Sequence, residues 1–341
     1  MTLQGRRGLA NIGNTCGLNA LLQSIVRLRS LVNHLTTIPN DPLSPLTTEL
    51  TRLVQEFWIQ DQSLAPKRFA HAFHEAIQGR LVMGDQLDMS EMWMIMLDRL
   101  ERELTCDNLP PPFPPWHTSN PTPSPYTPMS VQAAKAWHDL ASKMPATWAN
   151  LVNGLQVNQV VCNNPKCKHV YHNFEPFSML TLDIPSLQNA VHLSDCLRAY
   201  MLPETMSEWK CDKCHQNGSQ KLVRFWCAPS ILVIALKRFG GTGHKVNTPV
   251  TLPDIFELTA GSELCRNLGG PKAPPYTLKA VGCHFGSLGG GHYTALGRDS
   301  EGSWLHLDDL NITILPDSSH VLKNNAHAYL LFYERPVGAS A

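Results

Sequence analysis

Gly8-Leu9-Ala10-Asn11-Ile12-Gly13-Asn14-Thr15-Cys16-Gly17-Leu18-Asn19-Ala20-Leu21-Leu22-Gln23 joins a polar, glycine-punctuated loop to an amphipathic helix, with one cysteine at the junction. Leu18, Leu21, Leu22, Ile25 and Val26 recur at helical spacing, which predicts a helix from Cys16 towards Leu31. Asn14 or Thr15 can cap it, and Gly13 supplies the backbone freedom that a tight approach needs. A thiol on the first turn of a helix lies at the positive end of the macrodipole, where thiolate is favoured. A cysteine standing alone in such a place is ordinarily structural. A catalytic reading requires a base and a group to orient it elsewhere in the chain.

Composition narrows the field. The 341 residues can bury a large core, in one big domain or two smaller ones. Apolar residues make up 43% and charged residues 16%, as in a globular protein, and 28 basic residues balance 28 acidic ones. That balance argues against a charge-driven nucleic-acid or membrane partner. No apolar run reaches the length of a membrane span, and the first residues lack a secretory apolar region. Ten cysteines in such a chain read as reduced thiols, metal ligands or a nucleophile, and point to a cytoplasmic or nuclear protein.

Residues 1–7 read as a short polar leader, with no accessory domain expected before the core. Helical patterns follow over Leu46 to Gln60, Pro66 to Gln78 and a segment opening at Gln86-Leu87-Asp88 and continuing through Leu104. Asp88 and Glu91 have the spacing of a capping box, which accounts for both without any functional role. An insertion at 109–129 is rich in proline, interleaved with Ser, Thr and Asn, and reads as an exposed linker. Helices resume over Ser130 to Leu140 and near Trp148.

From Val157 the pattern changes to short strands: Val157 to Val161, Phe177 to Ile184, Ser219 to Phe225, Ile231 to Phe239, Thr277 to Phe285, His292 to Arg298, Trp304 to Leu307, Ile312 to Leu315 and Ala328 to Tyr333. Leu193 to Tyr200 reads as a helix among them. An antiparallel sheet packed on the earlier helices makes an α+β fold. The expected division is 1–156 mainly helical, 157–225 holding the cysteine pairs, and 226–341 mainly β.

Cys162 and Cys167 form one pair, Cys211 and Cys214 another. Two such pairs suit a tetrahedral structural Zn2+, and four protein ligands leave no open position for chemistry. The first pair is separated by four residues where two is common. His169, His172 and His215 are near enough in sequence to substitute for a cysteine, and four unligated thiols are the plain alternative.

Among fifteen histidines, His292 stands out because it follows Gly289-Gly290-Gly291 and starts a strand. Downstream, a turn over Arg298 to Gly302 brings Trp304-Leu305-His306-Leu307-Asp308-Asp309 back beside that strand, so a His–Asp contact is expected. Neighbouring strand residues point to opposite faces, so one of the two aspartates should meet the ring.

These blocks, Gly8 to Gln23, Gln86 to Leu97, Tyr276 to Arg298 and Trp304 to Tyr333, resemble the ubiquitin-specific proteases in order and nearly across the whole chain. Leu232 to Phe239 and the cysteine pairs resemble that family's sheet and zinc ribbon. The resemblance implies a papain-like thumb–palm–fingers architecture: a helical thumb with Cys16, an antiparallel β palm with His292 and Asp308, and zinc-ribbon fingers. It implies Cys16 as nucleophile, His292 as base, Asp308 as its orienting acid, Asn11 as oxyanion donor and Asp309 as an auxiliary acid. Gln86 and Asp88 fall where the family contacts the substrate tail. The implied reaction is hydrolysis after the C-terminal Gly-Gly of ubiquitin or a ubiquitin-like modifier, freeing it from its conjugates through an acyl-enzyme. The alternative is a ubiquitin-binding pseudoenzyme. Gly240 to Gly243 and Gly286 to Gly291 resemble mobile loops over the tail.

Overall fold

Apolar spacing lays out the helices as α1 (Cys16–Ile25), α2 (Arg29–Thr37), α3 (Pro45–Phe57), α4 (Lys67–Ala76), α5 (Met89–Leu104), α6 (Pro128–Ala141) and α7 (Ala146–Val152). The computed structural model describes residues 5–39, 41–59, 62–77, 87–105, 128–142, 144–186, 190–239, 245–258, 274–287 and 290–336. Gln86, Gly289, the glycines at 240–243 and residues 109–127 of the proline-rich insertion lie outside them. The helix expected to run from Cys16 to Leu31 is instead two. Arg27 turns its guanidinium back onto the Gln23 carbonyl and side chain and onto the Gly5 carbonyl, which fixes the bend between α1 and α2. Glu334, from the far end of the chain, accepts the Ser30 N–H and hydroxyl and so caps α2.

A similar long-range cap closes α3. Glu103 on α5 accepts from the backbone N–H of Leu46 and Thr47 and from the Thr47 hydroxyl, at 2.8–3.3 Å. Its side chain is almost fully buried, so Glu103→Ala would strand these donors. The expected loss is about 2 kcal/mol, measured as a lower midpoint in chemical denaturation.

The strands are β1 (Gly154–Cys162), β2 (Val170–Phe177), β3 (Leu180–Asp183), β4 (Val191–His192), β5 (Glu204–Lys210), β6 (Asn217–Cys227), β7 (Ile231–Lys237), β8 (Val250–Thr251), β9 (Ile255–Phe256), β10 (Tyr276–Ser287), β11 (Gly290–Arg298), β12 (Trp304–Asp308), β13 (Asn311–Ile314) and β14 (Ala328–Glu334). Helix α8 (Leu193–Tyr200) sits between β4 and β5, and α9 (Ser319–Leu322) before β14. Among the described residues they form a four-stranded sheet, β2-β1-β6-β5, and a larger one, β13-β12-β11-β10-β14-β7-β3, with β9 on β10. β2 and β5 escape sequence reading because they are edge strands wetted on both faces and carry no clean apolar alternation.

One expectation about pairing is corrected. β3 runs parallel to β7, not antiparallel. The chain between them leaves the larger sheet, forms α8 and the β5–β6 hairpin, and returns, which is the long crossover that a parallel pair requires. β7 is buried on both faces and reads as an unbroken apolar run.

The larger sheet has a core on each side. Ala280, Ala295, Leu305, Leu307, Leu330 and Phe332 face the helices, with Phe332 edge-on to Trp93 at 5.7 Å. Val281, Leu296, Leu331 and Tyr333 pack with α8 on the other face. Every residue of α1 is buried, and it packs on β10, β11 and α5. The nucleophile candidate therefore begins a helix wedged between the two halves of the fold. No described helix is long and apolar enough to cross a membrane.

Candidate active site

Cys16 is the first residue of α1 and only 4% exposed. Thr15 holds the N-cap position of α1, and its side chain makes no cap hydrogen bond. Asn14 adopts a left-handed conformation, φ 51°. The Thr15 hydroxyl is used inside the loop, accepting from Ile12 N–H at 3.1 Å. The loop is organised by Asn11, whose Oδ1 accepts from the N–H groups of Gly13 and Thr15 at 3.2 and 3.1 Å.

His292, on β11, and Asp308, ending β12, are brought together: His292 Nε2 and Asp308 Oδ1 lie 2.6 Å apart. With Nε2 engaged, Nδ1 is the ring nitrogen available to a thiol. The pair is partly exposed, 44% for His292 and 35% for Asp308. The β11–β12 hairpin that aligns them closes on Asp299, whose Oδ1 accepts from Glu301 and Ser303 N–H and whose Oδ2 accepts twice from Arg6.

Asp309 diverges from Asp308 through a left-handed turn, φ 48°, and not by strand alternation. Its Oδ2 accepts from Asn11 Nδ2 at 3.0 Å and its Oδ1 from Asn19 Nδ2 at 2.7 Å. Its carboxylate also lies within 4.8 Å of the nearest His292 and Asp308 ligand atoms. Asn19, three residues after Cys16 and 1% exposed, also donates to the Leu9 carbonyl. Leu9 N–H in turn donates to the Asp309 carbonyl at 2.9 Å. Asn19 was not singled out from the sequence. The signal available was its place on the same face of the helix as Cys16, one turn on.

Asp88 caps α5, its Oδ1 accepting from Ser90 and Glu91 N–H at 2.8 and 3.1 Å. Its Oδ2 accepts from the hydroxyls of Tyr329 at 2.6 Å and Tyr293 at 3.2 Å. Neither tyrosine was marked in the sequence, although Tyr293 directly follows His292. His284, also unmarked, is buried against Tyr293 with ring centroids 4.7 Å apart. Burial first, then Lys245, pushes its pKa down to about 4, which favours the neutral ring.

The four cysteines converge far from this cleft. Their sulfurs lie within 4.8 Å of one another, with Cys162–Cys214 at 3.6 Å and Cys167–Cys211 at 3.9 Å. A tetrahedral Zn2+ with Zn–S bonds of about 2.3 Å requires sulfurs about 3.8 Å apart, so the set fits that ion. The four-residue spacing of the first pair is absorbed by a turn in which Cys167 and Lys168 N–H both donate to the Asn164 carbonyl. Each knuckle ends in a left-handed residue, Lys168 and His215. Backbone N–H groups of Asn164, His169 and Gln216 point at the sulfurs of Cys162, Cys167 and Cys214, the surroundings that thiolate ligands need. His172 pairs with the Gln159 side chain instead.

Comparison with known proteins bears on the family and the fold. Residues 7–333 match the family model described as ubiquitin carboxyl-terminal hydrolase. The chain belongs to this family. Ubiquitin carboxyl-terminal hydrolase 4 of Saccharomyces cerevisiae is 25% identical over 97% of the chain and 39% of that protein. Human ubiquitin carboxyl-terminal hydrolases 2 and 3 are 27% and 29% identical, over 97% and 96% of the chain and 55% and 67% of their own lengths. The chain thus spans about two fifths to two thirds of these relatives. A SAGA DUB module, Ubp8 (a cysteine-to-alanine variant)/Sgf11/Sus1/Sgf73 bound to monoubiquitin, shares the fold with a TM-score of 0.72 at 21% identity, covering 98% of the chain and 70% of that one. The shared fold is an α+β one, a helical half packed on antiparallel sheets.

Proposed function

We propose that the chain is a cysteine-type hydrolase that cleaves the peptide or isopeptide bond after the C-terminal Gly-Gly of ubiquitin or a ubiquitin-like modifier. The observation that carries this reading is the 2.6 Å His292–Asp308 contact, which leaves Nδ1 for the thiol, in a chain of this family. Cys16 as thiolate attacks the carbonyl carbon, forming the S–C bond and an oxyanion. His292 Nδ1–H then protonates the leaving amine as the C–N bond breaks. A water, deprotonated by His292, attacks the resulting thioester and returns the thiol.

Asn11 supports the oxyanion. One of its two amide N–H groups is held by Asp309, which leaves the other to donate. Asp309 therefore serves best as the clamp on Asn11, itself held by Asn19. Asp308 keeps the base in one tautomer. Asp88 lies in the cleft wall between thumb and palm, and the further inference below concerns its role.

A structural Zn2+ held by Cys162, Cys167, Cys211 and Cys214 belongs to the same proposal. It would tie the two ends of the finger ribbon without taking part in the reaction. The division into thumb (1–156), fingers (157–225) and palm (226–341) is proposed too, with β3 and α8 reassigned to the palm that they pack on. A cytoplasmic or nuclear setting accords with the free thiols of the described cysteines.

The test is an electrophilic probe carrying a ubiquitin C-terminus, run beside probes built on other ubiquitin-like proteins. A covalent adduct on Cys16, located by peptide mass spectrometry, is expected. Tight ubiquitin binding with no adduct on Cys16 from any probe would reject the hydrolase and leave a binding module.

A further inference from the structure

The first turn of α5 meets the palm along three adjacent strands, β11, β10 and β14. At β11 the contact is Tyr293, whose hydroxyl donates to Asp88 Oδ2 at 3.2 Å. At β14 it is Tyr329, whose hydroxyl donates to the same oxygen at 2.6 Å and lies 3.0 Å from the Ser90 hydroxyl. Between them Met89 lies flat on β10 at Gly282, where an added Cβ would come within 2.4 Å of the Met89 sulfur. A larger residue there would oblige the Met89 side chain to move.

Tyr293 makes a second contact of the same kind. Its ring lies against Gly17, where a Cβ would stand 3.3 Å from Tyr293 Cδ2 and 2.9 Å from Met92 Cε. Tyr293 follows the base and Gly17 follows the nucleophile. The phenol therefore touches the backbone beside Cys16, continues the strand that carries His292, and ties both to α5 through Asp88. The rings are held from behind by His284, centroid distances 4.7 Å to Tyr293 and 6.5 Å to Tyr329. Burial, and then the Asp88 charge, raise the pKa of both phenols well above the ordinary value, so they remain donors.

We propose that Tyr293 and Tyr329 act through Asp88 as a strut that sets the position of the base strand against the nucleophile helix. Both are positioning residues for the hydrolysis proposed above, and the inference rests on that reading. Both Asp88 oxygens already have protein donors, Oδ1 from the helix end and Oδ2 from the phenols, so the carboxylate is committed to the fold before any substrate arrives. Registration of reacting groups within a fraction of an ångström controls the chemical step more than binding.

The test uses Tyr293→Phe, Tyr329→Phe and the double variant, which keep the rings and remove the hydroxyls. On a fluorogenic ubiquitin substrate the double variant is expected to lose about tenfold in kcat, with KM within about twofold of the parent. Amide hydrogen exchange over residues 88–92 and 291–295 is expected to quicken in parallel. A raised KM with kcat intact would overturn the proposal, because Asp88 would then be contacting substrate and not aligning the site. Unchanged exchange in both segments would overturn it whatever the kinetics. Should the parent itself fail to turn over the substrate, quickened exchange in the double variant would still support the strut and reject only the assigned reaction.

Discussion

Cys16→Ala is expected to abolish hydrolysis of ubiquitin-derived substrates, and His292→Ala to lower kcat by roughly 10³–10⁴-fold. The thiol forms the only proposed covalent link to substrate, so its loss leaves no partial route. Removal of the imidazole leaves a helix-terminal thiol without the group that takes and returns its proton. The two aspartates should then separate by role. Asp308→Ala frees Nε2 of the ring, and the His292 orientation is lost with the 2.6 Å contact. Asp309→Ala instead strands the amides of Asn11 and Asn19, which it holds at 3.0 and 2.7 Å. A double variant of Asp309 and Asn11 should therefore be no worse than the more damaged single, whereas Asp308 and Asn11 should combine more nearly additively. Single-turnover rates of all variants measure this. Near-parental turnover by His292→Ala would mean that the base lies elsewhere.

Cys211→Ser is expected to release the metal and unfold the four-stranded sheet. That sheet has little else to hold its far end. β5 and β6 pair over Glu204–Met206 and again only at Lys210, with an irregularity between, and the outer strands are largely exposed. The ion would close the chain between 162–167 and 211–214, and structural zinc contributes an apparent 10–16 kcal/mol or so in small zinc domains. Elemental analysis of the purified chain should find one zinc, lost in the variant. Hydrogen exchange should rise over 154–177 and 204–227 while 276–298 stays protected. A chain purified without zinc, with Cys211→Ser melting like the parent, would refute the assignment.

How much of this was readable beforehand follows from the range of each interaction. α5, α8 and the longer strands of the larger sheet are legible because their apolar residues recur with a fixed period against a common core, whereas the two-residue β9 is too short to show one. The break in α1 at Arg27 was not, since it depends on a carbonyl at Gly5 and a side chain one turn back. The His292–Asp308 pair is legible because one hairpin joins the two residues. The bond from Asn11 to Asp309, spanning 298 positions, leaves no local trace. Asp88 shows the opposite case: its capping role is local and visible, but its tyrosine partners lie 205 and 241 positions away.

The clamp of Leu9, Asn11 and Asn19 on Asp309, with Arg6 on Asp299, has a consequence for the order of events during synthesis. About 290 residues separate Cys16 from Asp308. At 5–20 residues per second the thiol leaves the ribosome roughly 15–60 seconds before its acid does. Throughout that interval the nascent chain carries a cysteine without base or oxyanion loop in place. On the proposed mechanism, hydrolytic activity is therefore acquired only as the last strands join.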